Sequence, residues 1–214
     1  MMLSWIDEEA FDQAITALRQ SAQDALTHAD KRRRRNVVDP FLTLLLSSTF
    51  SIDRSEDLST IQQAESAIRG MSGALGTFHQ SILGSVTGWE NHDSLYDLKC
   101  PDRRLVAEVK NKWNTMNTAN RRQVESDLAA TVRSLRGPWT AYLVLIVPKS
   151  PVRYEKSLDK NVIETDGASF YQLVTGYPNA IHDLFQVLIS RMAPSQQIAN
   201  YCQAILEQSL PPRT

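Results

Sequence analysis

The stretch SLYDLKCPDRRLVAEVKNKWNTMN, residues 94–117, holds Asp97, Glu108 and Lys110 between two alternating apolar runs. Two carboxylates and an amine are the groups that bind a divalent cation and act on a phosphate ester, provided that they meet. SLYDLKC and LVAEVKN read as two strands joined by the turn PDRR, whose proline and aspartate are turn formers. If Cys100 pairs with Leu105 across that turn, Asp97 lies opposite Glu108. Directly opposed residues share one face with Cβ atoms about 4.5–5.5 Å apart, and alternation puts Lys110 on the same face. A register slip of one residue would send Asp97 to the other side. The literal Pro101-Asp102 pair falls in the turn, so Asp97 is the better acid.

Like charges facing each other destabilise a sheet, and a divalent cation gives such a pair a reason. Magnesium takes a few carboxylate oxygens and keeps several waters. Asp97 and Glu108 are the expected ligands, with the Val109 backbone carbonyl filling another position. Lys110 would orient or acidify a metal-bound water and stabilise charge building on a phosphate oxygen. The plain alternative is a hairpin with a solvated polar face, one of its acids paired to a lysine. His79 reads as a packed or hydrogen-bonded helix histidine rather than a general base.

The elements that position this hairpin follow from periodicity. Asp7 precedes an amphipathic helix with Ala10, Phe11, Ile15, Leu18 and Ala22 on one face. The basic run Lys31 to Arg35 reads either as a solvated helix end or as a phosphate-contacting patch. Asp39 and Pro40 make an N-cap and first-turn pair for a second, more buried helix. Apolar positions from Ile61 to Ile82 step by three and four, a long helix in which Gly70, Gly73 and Gly76 point to close packing by another element. After the hairpin, Val124, Leu128, Val132 and Leu135 form one helical stripe, and WTAYLVLIVP is apolar on both faces, as in a covered central strand. A short strand at NVIET, a helix from Asp166 to Gly176, another from Pro178 and a last one from Pro194 complete the order.

This succession predicts an α/β fold: one mixed β-sheet of about four to five strands flanked by α-helices. The expected organisation is a single domain over 1–214, with a helical N-terminal part at 1–60, the core at 61–190 and a C-terminal helix at 191–214. The chain has 214 residues, 42% hydrophobic and 22% charged, the balance of an ordinary globular protein. A formal net charge of -1 argues against indiscriminate coating of nucleic acid but leaves room for a local basic cleft. Cys100 and Cys202 are far apart and form no CxxC pair, so neither a zinc site nor a disulfide framework is expected. No secretory signal or membrane span is read in the chain, and a reduced intracellular setting is the default.

Asp97 followed by Glu108-Val109-Lys110 on a hairpin, then helix and apolar strand, resembles the PD-(D/E)XK nuclease superfamily. With FHQSILGSVTGW before it, EVKNKWNTMN across it and DGASFYQLVTGYPNAIHDLF after it, the chain is similar to type II restriction endonucleases, most of all to the family that cuts GGNCC sites. The likeness covers roughly residues 40–190, and Tyr96 stands where the superfamily name has proline. It implies a restriction-endonuclease-like core, Asp97 and Glu108 as metal ligands, Lys110 as catalytic lysine, and Mg2+ with Mn2+ able to substitute. A further ligand is implied from the preceding helix, where Glu65 and Gln80 are the candidates. Lys112, Asn114, Asn117, Arg121 and Arg122 are the candidate DNA contacts, with capping of the next helix as the competing role for Asn117 and solvation for the two arginines. The resemblance further implies hydrolysis of duplex DNA at a short palindromic site to leave 5'-phosphates, a homodimer, a cognate DNA methyltransferase, and a bacterial cytoplasmic setting. A repair or recombination nuclease on the same fold, or a DNA-binding module without turnover, are the alternatives.

Overall fold

The computed structural model describes residues 3–29 and 39–214, with the backbone alone at Asp93. The basic run Lys31 to Arg35 lies outside the described residues. The chain divides into two compact units, Met1–Asp12 with His79–Thr214, and Gln13–Phe78.

The larger unit is built on a six-stranded sheet. Its strands are β1 (Glu90–Ser94), β2 (Tyr96–Cys100), β3 (Leu105–Lys112), β4 (Thr140–Val147), β5 (Glu155–Asp159) and β6 (Val162–Asp166), in the spatial order β1-β2-β3-β4-β6-β5. The central pairs β3-β4 and β4-β6 are parallel, while the outer pairs β1-β2, β2-β3 and β5-β6 are antiparallel. This is the expected mixed sheet, wider than expected because β1 and β5 close its two edges.

β4 supplies the middle of the core because its residues Ala141 to Ile146 are all buried, three toward each face. One face, carrying Val106, Ala141, Leu143, Leu145 and Val162, packs against Leu128, Ala129 and Val132 of helix α4 (Thr118–Ser134). Asn117 caps that helix, its side chain accepting a hydrogen bond from the Asn120 amide at 2.8 Å. On the opposite face Tyr142 meets Phe170 of helix α5 (Gly167–Thr175), ring centroids 5.6 Å apart. A Cβ on Gly167 would stand 2.5 Å from the Ile146 carbonyl oxygen and 2.7 Å from its Cα, so only glycine lets α5 start this close to β4. Asp166 caps α5 and Gly176 ends it in the left-handed region at φ 78°. Helices α6 (Ala180–Met192) and α7 (Gln196–Ser209) follow, with Asn179 and Ser195 at their N-cap positions rather than Pro178 and Pro194; of the two, Ser195 makes the cap bond, accepting from the Ile198 amide.

Among the described residues the remaining helices are α1 (Glu8–Thr27), α2 (Pro40–Phe50) and α3 (Ser55–Gly84). Asp7 accepts from the Ala10 amide at 3.0 Å and starts α1. Asp39 caps α2 through the Phe41 and Leu42 amides, with Pro40 in the first turn. Two expectations need correcting. A Cβ at Gly73 or Gly76 would meet nothing within 4 Å, so no described element packs tightly on these two, and they weaken the helix. Nor is α2 the more buried helix: none of its residues is buried.

Candidate active site

The β2-β3 register is Leu98↔Ala107, Lys99↔Val106 and Cys100↔Leu105, and one step further along it Asp97 comes opposite Glu108. Alternation along β3 then places Lys110 on the face of Glu108. Asp97 Oδ2 accepts a hydrogen bond from the Val109 amide at 2.7 Å. Glu108 Oε1 accepts from the Lys110 ammonium at 2.5 Å. These contacts use one oxygen of each carboxylate and orient both side chains into a cleft of about 270 Å³, lined by Ser94, Leu95, Tyr96, Asp97, Glu108 and, from α4, Val124, Asp127 and Leu128.

The electrostatics of the cleft are those of gathered acids. Desolvation pushes the Glu108 pKa up; Asp97 and Asp127 push it further, while the hydrogen bond and charge of Lys110 oppose the rise. A cation would relieve this repulsion, and hard oxygen donors suit magnesium. Among the described residues no three His, Cys, Asp or Glu side chains form a complete metal cage. A pair of carboxylates with water in the remaining positions is still the donor set that magnesium accepts.

Known proteins resemble this chain over most of its length. The family model described as Eco47II restriction endonuclease matches residues 3–193. The chain is 32% identical over 208 residues to the type II restriction enzyme Eco47II of Escherichia coli, covering 87% of this chain and 85% of that one. The chain belongs to the Eco47II restriction endonuclease family. It is also 24% identical over 200 residues to the type II restriction enzyme Sau96I of Staphylococcus aureus, covering 85% and 76% of the two chains. The protein is thus a type II restriction endonuclease, and DNA is the substrate class its family implies.

The other residues singled out in this endonuclease fall in different places. Lys112 still pairs with Val147 at the end of β3, so it stays on the face of Glu108 and Lys110, and it is exposed. Asn114 is exposed in a short 3-10 turn, Trp113–Thr115, directly after β3. The ring of Trp113 beside it lies under the Lys149 ammonium, 5.5 Å from its centroid. Asn117 is occupied as the α4 cap. Arg122 is exposed, whereas the Arg121 guanidinium binds Glu164 and, at 2.9 Å, Glu125. Burial works to lower the Arg121 pKa, but the two carboxylates outweigh it and raise it. Asp102 is exposed in the turn. Gln80 is half-buried on α3 and is not among the cleft-lining side chains. Glu65 lies in the smaller unit, 65% exposed and paired with Arg69 at 2.5 Å. His79 is a packed histidine: its Nδ1 lies 2.7 Å from the Tyr171 hydroxyl.

Sequence reasoning missed Asp127 and Glu164. Asp127 stands on the polar side of the α4 stripe, next to Leu128, and the packing of α4 on the sheet turns it into the cleft. Its spacing from Val124 was the available signal. Glu164 lies in register with Leu143, as Glu108 does from the other side, so the two acids share one row of the sheet. Only 6% of Glu164 is exposed, and it takes the Arg121 guanidinium and the Tyr154 hydroxyl at 3.2 Å. Burial first, then Glu164, raises the Tyr154 pKa, so the phenol stays protonated and donates.

Proposed function

We propose that this restriction endonuclease hydrolyses phosphodiester bonds of duplex DNA with magnesium held by Asp97 and Glu108, at a short palindromic site of the GGNCC type, leaving 5'-phosphates. The observation that carries the reading is that Asp97 and Glu108 line one cleft, with the Lys110 ammonium 2.5 Å from Glu108. The Val109 carbonyl is proposed as a further ligand, water fills the remaining positions, and manganese substitutes for magnesium. When bound, the metal supplies Lewis-acid polarisation of a phosphate oxygen and a water of lowered pKa. Lys110 sits beside Glu108, where its ammonium neutralises part of the charge that develops on the phosphorane-like oxygens. The Val109 amide fixes the carboxylate of Asp97, so the acid needs no reorganisation when substrate arrives. Lys112, on the same strand face, contacts a neighbouring phosphate, and Asn114, Asn117, Arg121 and Arg122 are the remaining contact candidates. Of these, Asn114 and Arg122 have exposed side chains with no cap or ion pair described for them.

The enzyme acts as a homodimer whose two-fold axis matches that of the site, in the cytoplasm of a bacterium that carries a methyltransferase for the same sequence. Digestion of a sequenced, unmethylated bacteriophage DNA tests the reading. Discrete fragments with magnesium, none with EDTA, and none from Lys110→Ala, Asp97→Ala or Glu108→Ala variants that remain folded are the expected results. Full activity of any one of the three variants would remove that residue from the mechanism. Progressive trimming from DNA ends in place of fragments would overturn site-specific cleavage.

A further inference from the structure

β3 and β4 run parallel and end together, Lys112 beside Val147, so the segments that follow them leave the sheet side by side. From Val109 to Val124 and from Val147 to Tyr154 the chain carries Lys110, Lys112, Arg121, Arg122, Lys149 and Arg153 and no acid, although acids outnumber lysines and arginines by 24 to 23 over the whole chain. Such segregation is the electrostatic footprint of a nucleic-acid contact. Part of it is used inside the fold, since Lys110 meets Glu108, Arg121 meets Glu164, and Arg153 donates to Gln172 and to the Pro178 carbonyl. Lys112, Arg122 and Lys149 are exposed and have no ion pair among the described residues.

Lys149 differs from the other two in being held in place. Its ammonium stands 5.5 Å from the centroid of the Trp113 ring, a contact that steadies a flexible side chain without neutralising its charge. Trp113 is 42% exposed, whereas Trp5, Trp89 and Trp139 are buried. Its indole N–H has no hydrogen-bond partner among the described residues. The pair thus offers charge, a free donor and apolar area on one exposed ridge, the combination that a sugar-phosphate backbone accepts. Three residues of extended chain separate Trp113 from Lys110, about 10 Å, which is the rise of about three base pairs.

We propose that Trp113 and Lys149 grip the DNA backbone beside the cut. The ammonium and the indole N–H bind a phosphate roughly three nucleotides from the scissile one, and the apolar rim of the indole packs on the adjoining deoxyribose. Both are positioning residues: they set where the duplex lies along β3 and take no part in hydrolysis. The distance to the scissile phosphate rests on the function proposed above; the grip on DNA does not.

Trp113 itself reports on the grip, because acrylamide quenches exposed indoles far more readily than buried ones. Trp113→Phe is expected to remove the readily quenched part of the emission before any DNA is added. A short duplex containing a GGNCC site, bound in EDTA so that nothing is cut and followed by the anisotropy of a labelled end, is expected to shield that part in the wild type. Lys149→Ala should weaken binding about tenfold and lower the salt dependence by about one counterion. Trp113→Ala should weaken it several-fold with the salt dependence unchanged, and both variants should keep the circular dichroism of the wild type. A bound duplex that leaves Trp113 as open to acrylamide as before, or unchanged affinity in both variants, would overturn the proposal. Discrete cleavage by a wild type whose Trp113 stays open removes the grip and keeps the proposed function. Shielding of Trp113 by DNA that is never cut with any divalent metal removes the proposed function and keeps the grip.

Discussion

Single side chains in the larger unit divide into those that face the cleft and those that hold the frame, and His79 belongs to the frame. Burial lowers its pKa to about 4, so the ring is neutral at pH 7, and Nδ1 shares a hydrogen bond of 2.7 Å with the phenol, which burial keeps protonated. In the unfolded chain the ring has the ordinary value near 6.5. The unfolded state therefore binds the extra proton first, and this contribution to stability is complete above pH 6.5 and lost as the pH falls toward 4. Discounted for its partial exposure, it is worth about 1–2 kcal/mol. Denaturant unfolding at pH 7 and pH 4.5 should show a smaller acid loss for His79→Gln than for the wild type, since glutamine keeps an acceptor for Tyr171 but takes up no proton. Equal losses would show that His79 titrates normally in the fold.

At the scale of elements, α4 is fastened to the sheet near its start. Asn117 caps its start, and one turn later Arg121 reaches Glu164 on β6. Removing the guanidinium would leave a nearly buried carboxylate with Tyr154 as its remaining described partner. Arg121→Ala should thus cost about 2–3 kcal/mol, the lower part of the range for breaking a buried pair because the arginine side chain is 30% exposed. Arg121→Ala with Glu164→Gln should cost less than the two single changes added together, and strict additivity in urea titrations would show that the contact carries no coupling.

The same elements show where a sequence is readable. The hairpin, the Asp39-Pro40 start of α2, the Asn117 cap and the Asp166 to Gly176 limits of α5 were legible because each depends on neighbours a few residues away. β1 (ENHDS) and β5 (EKSLD) were not: both are edge strands with mostly polar residues, no apolar alternation, and pairing decided by the strand beside them. Asp127 and Glu125 look alike on the helix; packing alone decides that one enters the cleft and the other meets Arg121. The exposure of α2 was illegible for the opposite reason, since an apolar helix announces burial without naming what buries it.

For the molecule as a whole, the proposed centre of Asp97, Glu108 and Lys110, one set per chain, would set the stoichiometry of cutting. If the dimer places one centre at each strand, a dimer of wild-type and Lys110→Ala chains has one working centre. Mixed preparations should convert supercoiled plasmid to nicked circles in proportion to the mixed dimer, with linear DNA lagging behind. Linear product appearing without nicked circles would mean that a single centre serves both strands.

The short turn after β3 has a different kind of consequence. Trp113, Asn114 and Thr115 are exposed, yet the chain before them is locked by the Lys112↔Val147 pairing and the chain after them by the Asn117 cap and Arg121. Side chains at these three positions are therefore expected to be exchangeable without moving β3 or the core. If Asp97, Glu108 and Lys110 cut as proposed, such a segment would let contacts change while the way of cutting is kept.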